Sequence, residues 1–98
     1  MRSFAERKMK GGKLVGIDIE FCDRINDIKI LGDFFIHPEE SLYKIERALI
    51  GTDPNSSKEE ITKTIKKVVA AEKAELIGIT PEAIAETISI AVKRWSGE

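Results

Sequence analysis

The sequence has no glutamine, one cysteine, one histidine, one tryptophan and three prolines, and no apolar run near the ~20 residues needed to cross a bilayer. One cysteine, Cys22, excludes an internal disulfide framework, and with a single histidine it cannot build a Cys/His zinc site. So little thiol use fits a reducing compartment, and the expected location is cytoplasmic. Cys22 itself reads as a small filler at a strand end. The opening segment MRSFAERKMK has charges but no apolar centre behind them, so it does not read as a signal peptide. Sixteen basic residues against seventeen acidic ones leave a net charge of -1, with no one-signed field to draw in nucleic acid or an anionic membrane. The missing glutamine, beside abundant Lys, Glu and Ile, is a bias of heat-adapted proteins.

What is present suits one domain. Ninety-eight residues with 42% apolar content have room for a single core and bury roughly two thirds of the unfolded surface. Residues 1–12 read as an N-terminal extension and the entry to a glycine-lysine motif, and 13–98 as the domain. In Leu14-Val15-Gly16-Ile17-Asp18-Ile19-Glu20-Phe21 the apolar residues alternate with Gly16, Asp18 and Glu20, the period-two pattern of a strand with one wet face. A turn at Cys22-Asp23-Arg24 returns the chain into an antiparallel strand whose face is set by Ile28, Ile30, Gly32 and Phe34. Ile25 is out of phase with that set, which predicts a β-bulge near Asn26-Asp27.

Three helices follow. His37-Pro38-Glu39-Glu40 predicts a helix start, because proline suits the first position and glutamates complement the positive end of the dipole. Leu42, Ile45 and Leu49 form its buried stripe, and Gly51 ends it. Ser57-Lys58-Glu59-Glu60 is a capping box opening a second helix with Ile61, Ile65, Val68 and Val69 inward. Residues 74–79 are too short for a helix and read as a brief edge strand added to the hairpin. Thr80-Pro81-Glu82 starts the last helix, with Ile84, Ile88, Ala91, Val92 and Trp95 inward. The fold class is therefore α+β, a small antiparallel sheet packed on three helices.

Chemistry is scarce. His37 lies one residue before a helix-starting proline and Cys22 ends a strand, so neither forms a nucleophile–base pair. Glu39-Glu40 and Glu59-Glu60 sit in first helical turns, where dipole compensation accounts for them. Lys10-Gly11-Gly12-Lys13 looks like part of a phosphate-binding loop, but a strand follows it where a P-loop requires a helix. The lysines of the second helix alternate with glutamates and read as a solvated face. No residue set looks able to run a reaction unaided. Of six aromatic rings, Phe21, Phe34 and Phe35 gather at the hairpin and its exit, so ILGDFFIHPEE is either core or contact surface. Phe34 shares the inward phase of Ile28 and Ile30, which leaves Phe35 as the aromatic facing outward.

Taken together, Lys10-Gly11-Gly12-Lys13-Leu14-Val15, the hairpin, Gly32-Asp33-Phe34-Phe35-Ile36-His37-Pro38-Glu39-Glu40, Leu49-Ile50-Gly51 and Ile77-Gly78-Ile79-Thr80-Pro81-Glu82 resemble the C-terminal accessory domain of lipoate–protein ligases. The order and spacing agree over nearly the whole chain. Met1 stands shortly before the first motif, so the chain resembles the split version, in which this domain is a separate small subunit beside a catalytic one. The resemblance implies a heterodimer that activates lipoate with ATP to lipoyl-AMP and passes the lipoyl group to a lysine of an acceptor domain. ATP, Mg and lipoate would be held in the complex, none of them by this chain alone. It further implies that Gly11, Gly12, Lys13, Gly32, Asp33, Phe35 and His37 face the partner or the adenylate site, with no catalytic residue and no metal ligand among them. Two other classes compete: a protein- or small-molecule-binding module unrelated to lipoylation, and a nucleic-acid binder resting on Arg2, Arg7, Lys8, Lys10 and Lys13. The near-neutral total and the lack of interleaved aromatics weigh against the latter.

Overall fold

The computed structural model describes residues 1–9, 11 and 13–96, with side chains to Arg94. Lys10, Gly12 and the side chain of Trp95 lie outside it, so the expectations placed on them are not met by any described atom. The fold is α+β, as the patterning predicts. The element order is β1 (Arg2–Lys8), β2 (Leu14–Phe21), β3 (Ile25–Gly32), β4 (Phe35–His37), α1 (Glu40–Leu49), α2 (Lys58–Glu72), β5 (Glu75–Ile77) and α3 (Pro81–Ser96).

The predicted hairpin is β2 and β3, antiparallel, with Ile17 opposite Ile30 and Ile19 opposite Ile28. Its register slips between Glu20 and Phe21, which pair with Asp27 and Ile25. Asn26 is the extra residue, and the bulge turns Ile25 back into the core, where it is buried. Val15, Ile17, Ile19 and Phe21 of β2 and Ile28 and Ile30 of β3 face the helices and are buried. Against them pack Ile45 and Leu49 from α1, Ile61 and Ile65 from α2, and Ile84, Ile88 and Ala91 from α3. Each such side chain contributes roughly 1.5–3 kcal/mol by leaving water. α1 lies on β3, α3 lies on β1 and β2, and α2 packs against both other helices.

Four parts of the sequence reading need correction. Residues 2–8, read as an extension, form β1, which pairs with β2 and makes the sheet three-stranded in the order β1-β2-β3. Its inward side chains are small or polar because α3 lies directly on them. Ala5 is fully buried, the Ser3 hydroxyl donates to the Ala91 carbonyl at 2.7 Å, and Arg7 pairs with Glu86. Residues 75–77 do form a strand, but it joins β4 in a separate two-stranded sheet and does not extend the hairpin. The helix start also shifts: a cis bond joins His37 to Pro38, and α1 begins at Glu40. Cys22 is exposed in the turn and is not a filler. The capping box is as expected, with the Ser57 hydroxyl accepting from the Glu60 amide at 3.2 Å and the Glu60 carboxylate accepting from the Ser57 amide at 3.1 Å.

Each outer edge of the three-stranded sheet is capped in part by side chains or loops of the same chain. The Ile30 amide donates to the Glu46 carboxylate at 2.8 Å, so Ile30 points its backbone away from β2. Ile25 also bonds outward, donating to Thr52 and accepting from Gly51. Alternation of the ladder then turns Phe4 of β1 toward the opposite free edge. There Arg94 donates to the Phe4 carbonyl at 3.0 Å. The outer face of the sheet carries no element. On it the Phe4 ring lies over Gly16, so close that a methyl group on Gly16 would sit 3.3 Å from the ring.

Candidate functional site: the β2–β3–β4 corner

Three segments far apart in sequence meet at one corner. β3 ends at Gly32, whose φ of +146° turns the chain out of the sheet. The turn brings the backbone hard against the start of β2: a Cβ on Gly32 would stand 2.0 Å from the Leu14 carbonyl oxygen, which also accepts from the Asp33 amide at 3.0 Å. The close approach that this glycine permits is thus to its own chain. Directly after β5, Gly78 (φ +85°) completes the corner, with a methyl at its position lying 3.6 Å from both the Asp33 carbonyl and the Lys13 Cγ. Lys13 therefore runs its stem past Gly78 and is exposed.

A shallow groove beside Lys13 is lined by Gly11, Gly32, Asp33, Phe34 and Phe35. A second one, on the other side of Phe35, reaches His37, Glu39, Glu75 and Ile77. Phe34 is half-buried and packs on the core, while Phe35 is 69% exposed; the division is the expected one, but the single strand expected to run through Phe34 ends at Gly32, and Phe34 lies between β3 and β4. The reason is local. In β4 only Ile36 points inward and is buried, leaving Phe35 and His37 outward. Gly11, Lys13, Gly32, Asp33, Phe35 and His37 thus all lie along one side, while Gly12 lies outside the described residues.

Gly78, Ile77 and Glu75 belong to the same surface and were not singled out as site residues from the sequence. The signal available was the Ile77-Gly78 pair, whose glycine breaks the strand pattern of 74–79; nothing local says which strand that segment joins. Chemically the corner offers one ammonium, carboxylates, an imidazole and apolar area. Among the described residues, no three His, Cys, Asp or Glu gather as a metal ion needs, and no helix is long and apolar enough to cross a membrane. What the corner can do is bind.

A family model described as the bacterial lipoate protein ligase C-terminus matches residues 4–88. A solved chain from an archaeal lipoylation system of Thermoplasma acidophilum, a bi-partite lipoate protein ligase and its E2 lipoyl domain, superposes with a TM-score of 0.65 at 29% identity, covering 90% of this chain and 94% of that one. Comparison with curated protein sequences gave no match.

Proposed function

The chain belongs to the family of bacterial lipoate protein ligase C-terminal domains, and from that premise we propose that it is the accessory subunit of a bipartite, ATP-dependent lipoate protein ligase. It docks on a separate catalytic subunit and supports the first half-reaction, in which the lipoate carboxylate attacks the α-phosphate of ATP to give lipoyl-AMP and pyrophosphate. The second half-reaction transfers the lipoyl group to a lysine of an acceptor domain. ATP, Mg and lipoate belong to the catalytic subunit in this reading, and the present chain acts in the cytoplasm without membrane or nucleic acid.

The observation that carries the proposal is the meeting of Lys13, Gly32-Asp33 and Gly78 at one exposed corner with Phe35 standing out beside it. Three of the sequence segments that resemble the ligase domain, those carrying Lys13, Gly32-Asp33 and Gly78, converge there, while Leu49-Ile50-Gly51 sits at the other end of β3. Phe35 serves as an aromatic anchor, since an exposed ring that enters a partner's pocket is a recurrent source of binding energy. Lys13 brings a positive charge on a long stem to the rim of the neighbouring active site, where negative charge gathers on the α-phosphate and departing pyrophosphate. Gly11 lets the backbone before β2 lie close to the partner, and Asp33 and His37 flank the anchor.

The test is reconstitution with the catalytic subunit from the same source. The chain alone should release no pyrophosphate from ATP and lipoate, and adding it should raise release by the catalytic subunit. Lys13→Ala should slow adenylate formation at least several-fold and leave transfer from pre-made lipoyl-AMP unchanged, because the extra charge matters only while phosphate charge develops. Phe35→Ala should weaken association by more than ~1 kcal/mol with the melting temperature unmoved. A catalytic subunit equally active with and without this chain rules the proposal out.

A further inference from the structure

The β4–β5 pair has a feature that folding does not require. Two three-residue strands are below the size that stands alone in water, and this pair is held to the body through Ile36 and Leu76, which pack against the core. Its other face is a two-by-two array, Phe35 opposite Ile77 and His37 opposite Glu75. Phe35 and Ile77 are 69% and 50% exposed. Beside the polar half stands Glu39, across a groove floored by Leu42. Among the described residues the carboxylates of Glu39 and Glu75 have no ion-pair or hydrogen-bond partner, as is also true of Glu6 and Glu59, whereas those of Glu20, Glu46, Glu60, Glu72, Glu82 and Glu86 each have one. An exposed apolar pair and two carboxylates without an ion-pair partner therefore lie side by side on one surface.

Resting on the accessory-subunit reading, we propose that both halves are read by one segment of the catalytic subunit: an apolar side chain seated over Phe35 and Ile77, and an Arg or Lys reaching between Glu39 and Glu75. The apolar half supplies area. The acidic half supplies selection, because a charge-assisted bond from a cation is strong and a like-charged partner is repelled. A second copy of this chain is the wrong occupant, since a two-fold contact through this face would bring Glu39 and Glu75 against their own counterparts. Nucleic acid is disfavoured by the same two carboxylates.

Binding to the catalytic subunit from the same source, measured by calorimetry at low and high salt, tests this. Glu39→Lys/Glu75→Lys should raise Kd at least tenfold at low salt and flatten its salt dependence, and Glu39→Gln/Glu75→Gln should do so less. Glu39, Glu75 and Phe35 are all exposed, so melting temperatures within a few degrees of the parent serve as the folding control. If both charge variants bind like the parent at both salt concentrations while Phe35→Ala still weakens binding, the basic complement is refuted and the accessory reading stands. If the chain fails to stimulate the catalytic subunit at all, that reading falls and this inference with it.

Discussion

Replacing Gly32 by alanine puts a methyl group 2.0 Å from the Leu14 carbonyl oxygen and 3.0 Å from its carbon, both of them backbone atoms that cannot rotate away. Two effects combine. A side chain at φ +146° is itself strained, by about 1–3 kcal/mol. Parting Gly32 from Leu14 also stretches the hydrogen bond that the Asp33 amide donates to the same oxygen at 3.0 Å, about 0.5–1.5 kcal/mol. The sum is roughly 2–4 kcal/mol, and with ~4–8 °C of melting temperature per kcal/mol in a chain of this size the expected fall is about 10–30 °C. Gly51→Ala is the control. Gly51 also has a positive φ, +91°, but open space within 4 Å, so only the conformational part, about 1–2 kcal/mol, applies. Thermal melts followed by circular dichroism, with urea titrations for the free energies, compare the two. Should the variants melt within ~3 °C of each other, the clash with Leu14 contributes nothing and the account of the corner is wrong.

Other substitutions probe the scaffold. Ser57→Ala removes the hydroxyl half of the capping box and should destabilise by about 1 kcal/mol in urea denaturation. The Thr62 hydroxyl is buried without a partner, so Thr62→Val should be neutral or stabilise by up to ~1 kcal/mol, and a clear loss would reveal a hidden bond. The hydrogen bond from Lys66 holds the Glu82 carboxyl below its ordinary 4.5. A depressed carboxylate stabilises the fold above that value and ceases to do so as pH falls through the lower folded value. The stability difference between parent and Glu82→Gln should therefore shrink on acidification. The mirror case is Lys44, raised above 10.5 by its hydrogen bond to Glu72. Its contribution is complete below 10.5 and is lost as pH rises through the folded value, so Lys44→Met should lose its effect only in strong alkali.

The elements that the sequence discloses are those whose signal is local. The alternation of Val15, Ile17, Ile19 and Phe21 specifies a half-buried strand without reference to anything distant, the phase error at Ile25 marks the bulge, and Ser57 with Glu60 marks a helix start. β1 escapes notice because its inward positions are Ser3, Ala5 and Arg7, of which only Ala5 is fully buried. With α3 seated on the strand there is no depth for large apolar side chains, so the period-two signal is absent. The β4–β5 sheet escapes for another reason: Phe35–His37 and Glu75–Ile77 are 40 residues apart in sequence, and three residues carry no pattern that selects a partner. The candidate site divides along the same line. The outward aim of Phe35 follows from strand phase, but the approach of Gly78 to Lys13 and Asp33 is made by that unforeseen pairing.

The closing of the sheet edges by Glu46, the Gly51-Thr52 loop and Arg94 also bears on how binding at this molecule can diverge. Strand addition at an open edge is recognised largely through backbone groups, which every sequence shares, so an open edge captures strangers almost as well as partners. Here the middle of the β1 edge is guarded by Arg94, four of the seven residues of β1 are charged, and the β3 edge is already spent on its own chain. Association is left to faces and corners, where every contact is a side chain. Two duplicated copies of such a subunit could part company, each keeping its own partner, through a few surface substitutions that leave the core untouched. Arg94→Ala and Glu46→Ala would undo that privacy, by making the chain promiscuous toward extended segments.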